Sequence, residues 1–146
     1  MNKKRILIVD DEIGAARLLK ANLESTGQYD VRVENWPEDA LEVARQFRPD
    51  LVLLDIIMPR LPGGNVAEAF ARAPELQNTR VTFFTAAVRR DQIEDHEGII
   101  CDYPCLAKPA TVAEIIQFIE TNLNRAGSPA GLFPGNKPDN PPQAQP

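Results

Sequence analysis

Two kinds of apolar pattern alternate along the chain. Ile6-Leu7-Ile8-Val9, Leu51-Val52-Leu53-Leu54 and Val81-Thr82-Phe83-Phe84 are short runs without the polar alternation of a half-exposed strand. Such runs suit parallel strands covered by helices on both faces. Val31-Arg32-Val33 alternates and is short, as an edge strand would be, and Cys105-Leu106-Ala107 is a weak last run before Lys108 and Pro109. Between the runs, apolar residues recur every three or four positions. Ile13, Ala16, Leu19 and Leu23 form one stripe; Ala40, Leu41, Ala44 and Phe47 form the next, with Pro37 near the helix start, where proline is tolerated. Val66, Ala69 and Phe70 mark a third helix, Gln92 and Ile93 a weak fourth, and Ile115, Ile116, Ile119 and Leu123 a fifth. Thr111 and Glu114 have capping-box spacing at the start of the fifth helix. Gly27 and Gly127 fall just after the first and fifth helices, where C-cap glycines belong.

Five strands alternating with five helices predict an α/β fold: a doubly wound (βα)5 open parallel sheet. Ligands of such sheets bind outside the carboxyl ends of the strands. The pattern ends near Ala126. Residues 127–146 hold six prolines and three glycines in twenty positions, a composition that reads as an unstructured tail. The domain is therefore expected over 1–126. Nothing after Arg125 shows helical periodicity or basic clustering, so no DNA-binding output is expected.

Composition narrows the function. Of 146 residues, 43% are hydrophobic and 25% charged, as in an ordinary globular chain. Acids outnumber bases 21 to 16, and the net charge of −5 argues against nucleic acid or an anionic membrane surface as partner. The run Ile6 to Val9 is too short for a secretory h-region of about 7–15 residues, and no stretch nears the roughly 20 apolar residues of a membrane span. A cytoplasmic protein with free thiols at Cys101 and Cys105 is expected. His96 with these two cysteines lacks a fourth ligand and the paired spacing of a metal site.

The strand ends carry the chemistry. The first runs into Asp10, Asp11 and Glu12, the third ends at Asp55, the fourth at Thr85 and the fifth at Lys108. A parallel sheet brings these ends to one edge. Taken singly, Asp10 and Asp11 would cap a helix, and Asp55, Thr85 and Lys108 would be unremarked surface residues. Together they gather carboxylates that repel one another unless a proton or a cation intervenes. An all-oxygen cluster suits Mg²⁺. Metal, ammonium and hydroxyl around a carboxylate are what phosphoryl transfer to a carboxylate nucleophile requires.

The segments Ile6 to Glu12 (ILIVDDE), Leu51 to Pro59 (LVLLDIIMP), Thr85-Ala86 and Lys108-Pro109 resemble the receiver domain of bacterial response regulators, over about residues 4–125. The resemblance implies a flavodoxin-like strand order of 2-1-3-4-5. It makes Asp55 the phosphoacceptor, and Asp10, Asp11, Asp55 and the backbone carbonyl of Ile57 the Mg²⁺ ligands. It gives Thr85 and Lys108 the phosphoryl group, and Lys108-Pro109 the family's cis peptide. Ile57 and Ala87 occupy the positions that flank the path of a hydrolytic water. The expected partners are a sensor histidine kinase or a histidine phosphotransfer protein, and a downstream protein target. Three departures stand out. Arg60-Leu61-Pro62-Gly63-Gly64 replaces an acidic-glycine turn. Cys105 stands where switching receivers carry an aromatic, with Tyr103 two residues earlier on the same face of the strand. Ile99, Ile100 and Cys101 are unexpectedly apolar, which suits either core or a partner surface, core being favoured because exposed apolar patches are rare. Two other classes remain: an interaction module that is never phosphorylated, and a flavodoxin-like cofactor protein. The acids after the first strand disfavour the latter, because a flavin phosphate prefers a nest of Ser, Thr and Gly.

Overall fold

The computed structural model describes residues 2–100 and 102–125. Cys101, Gly127 and the segment 127–146 lie outside the described residues. Six strands and five helices follow one another as β1 (Lys4–Val9), α1 (Ile13–Glu24), β2 (Tyr29–Glu34), α2 (Ala40–Phe47), β3 (Leu51–Leu54), α3 (Gly63–Arg72), β4 (Arg80–Thr85), α4 (Arg90–Asp95), β5 (Ile99–Ile100), β6 (Tyr103–Ala107) and α5 (Val112–Leu123). Short 3-10 turns at Pro37–Asp39 and Pro74–Leu76 precede α2 and β4.

The sheet order is β2-β1-β3-β4-β6-β5. The first five strands in that order are parallel, which is the expected 2-1-3-4-5 order with β6 as the fifth parallel strand. The short strand β5 is an addition that the sequence pattern did not reveal. It folds back antiparallel on β6, with Ile99 opposite Pro104 and Ile100 opposite Tyr103. Asp102, with φ 74°, lies in the turn between them, and the Cys105 N–H donates to the Gly98 carbonyl at 2.9 Å. Ile100 packs on the core as expected, although both isoleucines are only half-buried.

Because side chains alternate along a strand, each apolar run feeds two layers. Ile6, Ile8, Leu51, Leu53 and Phe84 face α1 and α5. Leu7, Val9, Val52, Leu54, Val81 and Phe83 face α2, α3 and α4. All four residues of β3 are buried, as a central strand covered on both sides requires. The α5 capping box forms: Glu114 N–H donates to Thr111 Oγ1 at 3.0 Å, and Thr111 N–H to Glu114 Oε1 at 2.8 Å. Ala16, Leu19 and Leu23 seat α1, but Ile13 is 48% exposed and leaves the predicted stripe, since the first turn of α1 overhangs the strand ends. Gly27 takes φ 79° after α1, a conformation glycine adopts without strain.

Side chains of α1 cover the β2 edge at Val31. Lys20 Nζ donates to the Val31 carbonyl at 2.9 Å, and Val31 N–H donates to Glu24 Oε2 at 3.1 Å. These bonds satisfy outward backbone groups that an edge strand otherwise presents for pairing. Among the described residues, no helix is long and apolar enough to cross a membrane.

Candidate functional site

The sheet brings the expected residues to one edge. Asp10 follows β1, and its N–H donates to the Glu34 carbonyl at 3.1 Å. Asp55 follows β3, and its N–H donates to the Val9 carbonyl at 3.1 Å. Extending the ladder by these bonds carries both aspartates just past their strands with fixed backbones. Asn35 donates through Nδ2 to the Asp10 carbonyl at 2.8 Å, tying the β2–α2 loop to the same point.

Asp10, Asp11 and Asp55 each offer a carboxylate oxygen, and these atoms lie within 4.8 Å of one another. Among the described residues this is the one group of three side chains able to ligate a metal. Glu12 does not join it; it is the exposed N-cap of α1, without a side-chain capping bond. Asp10 Oδ1 accepts the Glu12 N–H at 3.0 Å, while Oδ2 accepts from Lys108 Nζ at 2.5 Å. Asp10 thus both organises the start of α1 and belongs to the acidic cluster. Lys108 Nζ stands 3.8 Å from Asp55 Oδ2, and the Asp10, Asp55 and Lys108 side chains are 8%, 12% and 18% exposed. Carboxylates this close and this little hydrated attract a cation, and hard oxygen donors fit Mg²⁺.

Lys108 is held by its strand as well as its charge. Its N–H donates to the Thr85 carbonyl at 2.9 Å, and Nζ lies 5.2 Å from the Phe84 ring centroid. The Lys108–Pro109 bond is cis, as the resemblance implied. Thr85 is fully buried, and its Oγ1 accepts the Ala87 N–H at 3.1 Å. Ile57 is 67% exposed in the loop after Asp55.

Cys105 is buried on the inner face of β6. Tyr103 shares that face, as two-residue spacing predicts. Its ring meets Phe83 edge-on at 5.3 Å, and its hydroxyl donates to the Ala67 carbonyl of α3 at 3.4 Å. Burial pushes that hydroxyl above the usual tyrosine range. Tyr103 thus packs inward against β4 and α3, two residues before Cys105 along β6. His96 is exposed, and its Nδ1 donates to the Gln92 carbonyl at 2.8 Å.

Gly63 is the residue whose role the sequence understated. It begins α3, and a Cβ there would stand 2.0 Å from the Asp55 carbonyl oxygen. The turn sequence Pro62-Gly63-Gly64 signalled a loop, not that close approach.

A family model for the response regulator receiver domain matches residues 6–120. The chain belongs to that family. The receiver is 32% identical over 124 residues to the polar-differentiation response regulator DivK of Brucella anthropi, covering 84% of this chain and 98% of DivK. It is 33% identical over 129 residues to the probable transcriptional regulator ycf27 of Cyanophora paradoxa, covering 88% of this chain and 52% of that one. It is 34% identical over 124 residues to the DNA-binding dual master transcriptional regulator RpaA of Synechocystis, covering 83% and 49%. The chain thus spans about half the length of these two regulators. Among solved structures, the signal receiver domain of a modulated diguanylate cyclase from Desulfovibrio desulfuricans superposes with TM-score 0.65 at 31% identity, covering 84% of this receiver and 94% of that chain. The chemotaxis protein CheY4 of Vibrio cholerae shares the fold, with TM-score 0.70 at 20% identity, covering 83% and 99%.

Proposed function

We propose that this receiver takes a phosphoryl group onto Asp55 from a phosphohistidine of a sensor histidine kinase or histidine phosphotransfer protein in the cytoplasm. The phosphorylated chain then binds a downstream protein differently or passes the group on. The observation that carries this reading is the placement of the half-buried Asp55 carboxylate at a strand end beside Asp10, Asp11 and the Lys108 ammonium.

An Asp55 carboxylate oxygen forms the new P–O bond as the P–N bond to the donor imidazole breaks, and the imidazole leaves with the bonding pair. Asp10, Asp11, Asp55 and the Ile57 carbonyl would hold Mg²⁺. When bound, the ion offsets the charge of the phosphoryl oxygens. Lys108 moves from Asp10 toward a phosphoryl oxygen, a short displacement because Asp55 is already 3.8 Å away. Thr85 gives up its bond from the Ala87 N–H and turns its hydroxyl to donate to another oxygen.

Incubation with Mg²⁺ and acetyl phosphate, read by intact mass, tests the proposal. One phosphoryl adduct is expected on the native chain, and none on Asp55→Asn or after chelation. An adduct on the Asn variant overturns the assignment of Asp55, and a native chain that takes none points to an unphosphorylated interaction module.

A further inference from the structure

The loop from Ile56 to Pro62, which follows the acceptor, is fastened at two ends. At its inner end Gly63 N–H donates to the Ile56 carbonyl at 2.7 Å, against the Asp55 backbone. At its outer end Arg60 reaches across to the β2–α2 loop. Its guanidinium lies 4.4 Å from the Trp36 ring centroid, and Nη1 bonds Glu38 Oε2 at 3.1 Å. The Trp36 backbone is fixed, since its N–H donates to Glu34 Oε2 at 2.9 Å and its carbonyl accepts the Asp39 N–H at 3.0 Å, while its ring is half exposed beneath the Arg60 guanidinium.

Arg60 holds φ at 75°, the left-handed region that glycine occupies freely and a side chain does not. A strained backbone persists where other contacts hold it, and such positions cluster at working sites. Here those contacts are the stack on Trp36 and the pair with Glu38. Trp36 and Arg60, with Asp11, Ile13, Asn35, Pro37 and Pro59, enclose a cavity of about 190 Å³. Asp11 therefore belongs both to this cavity and to the acidic cluster.

We propose that Trp36, Glu38 and Arg60 form a clasp that positions the loop carrying Ile57 over Asp55, and so sets the lifetime of the aspartyl phosphate. Arg60 is a positioning residue, with no contact to the reacting atoms. The clasp holds Ile57 where its side chain keeps water from lining up behind the phosphorus. Releasing it lets the loop swing outward from its Gly63 anchor and admits that water. The inference rests on phosphorylation of Asp55.

Arg60→Gly is the informative variant, because it removes the clasp while relieving the backbone strain. Chains phosphorylated with acetyl phosphate and freed of donor are followed by intact mass as the adduct decays in Mg²⁺. We expect decay about tenfold faster in Arg60→Gly and in Trp36→Ala, no further gain in the double variant, and near-native decay in Arg60→Lys, which keeps the cation over the ring. Trp36 is the single tryptophan of the chain, so its emission independently reports loss of the stack in Arg60→Gly. Decay within about twofold of native in Arg60→Gly, once Trp36 emission shows the stack is gone, overturns the clasp. Unchanged decay in Trp36→Ala does the same. A native chain that accepts no phosphoryl group overturns the reading of Asp55, and the clasp's role falls with it.

Discussion

Lys108 bonds Asp10 at 2.5 Å and stands 3.8 Å from Asp55, although Asp55 is the group it is expected to serve. The ammonium lies against the Asp10 and Asp55 side of the acidic cluster, where it competes with a divalent cation for Asp10. Lys108→Met should therefore bind Mg²⁺ about tenfold more tightly, a difference of ~1.4 kcal/mol. Without metal the same variant should lose about 2 kcal/mol of stability, because the carboxylates face one another uncompensated. Calorimetric titration and thermal melts with and without Mg²⁺ check both. Equal affinity for Mg²⁺ would show that the lysine does not compete.

Two adjacent glycines should respond in opposite directions. A Cβ on Gly63 meets the Asp55 oxygen at 2.0 Å and the Ile56 Cα at 2.9 Å, whereas one on Gly64 meets nothing within 4 Å. Gly63→Ala should destabilise by about 2 kcal/mol, since backbone must move. Gly64→Ala should stabilise by about 0.5–1 kcal/mol, because helix formation no longer orders a glycine. Urea unfolding of the two variants measures the difference.

Ile57 is exposed beside the acceptor and has no group to orient a water. The aspartyl phosphate should be long-lived for that reason. Ile57→Asn should hydrolyse about ten to a hundred times faster, roughly 1.4–2.7 kcal/mol lower in barrier. Timed intact mass in Mg²⁺ gives the rates, and an unchanged or slower decay would mean that the side chain does not exclude water.

Acid should loosen the α1–β2 edge. Glu24 is held below its usual 4.5 first by the hydrogen bond from Lys20, then by that from the Val31 N–H. A depressed carboxylate contributes stability that is fully present above pH 4.5 and fades as pH falls through its lower folded value. Glu24→Gln should lose about 1 kcal/mol at neutral pH, reduced by the exposure of the pair, and show a shallower decline in acid. Unfolding free energies from pH 7 down to the acid limb test this; parallel curves would assign the decline to other carboxylates.

Much of this receiver is legible along the chain, because burial on two faces leaves a local trace. Continuous apolar runs such as Leu51–Leu54, too short for a helix, suit central strands between helices, and the acids and Thr85 directly follow such runs. Strand identity and strand-end chemistry were therefore readable together, as was the Thr111–Glu114 cap, which spans three positions. What tertiary structure decided lies between segments distant in sequence. That Lys108 rests on Asp10, 98 positions away, depends on the relative reach of two strand ends. That Gly63 is required by the Asp55 carbonyl depends on how closely α3 approaches β3. Tyr103 turned inward because Phe83 and α3 leave a pocket for it, and Ile99–Ile100 became a sixth strand because β6 had a free edge. Arg60 found Trp36 only because two loops end on the same side of the sheet. Side-chain periodicity is set by local backbone geometry, but these contacts are set by distances between elements, which no local pattern encodes.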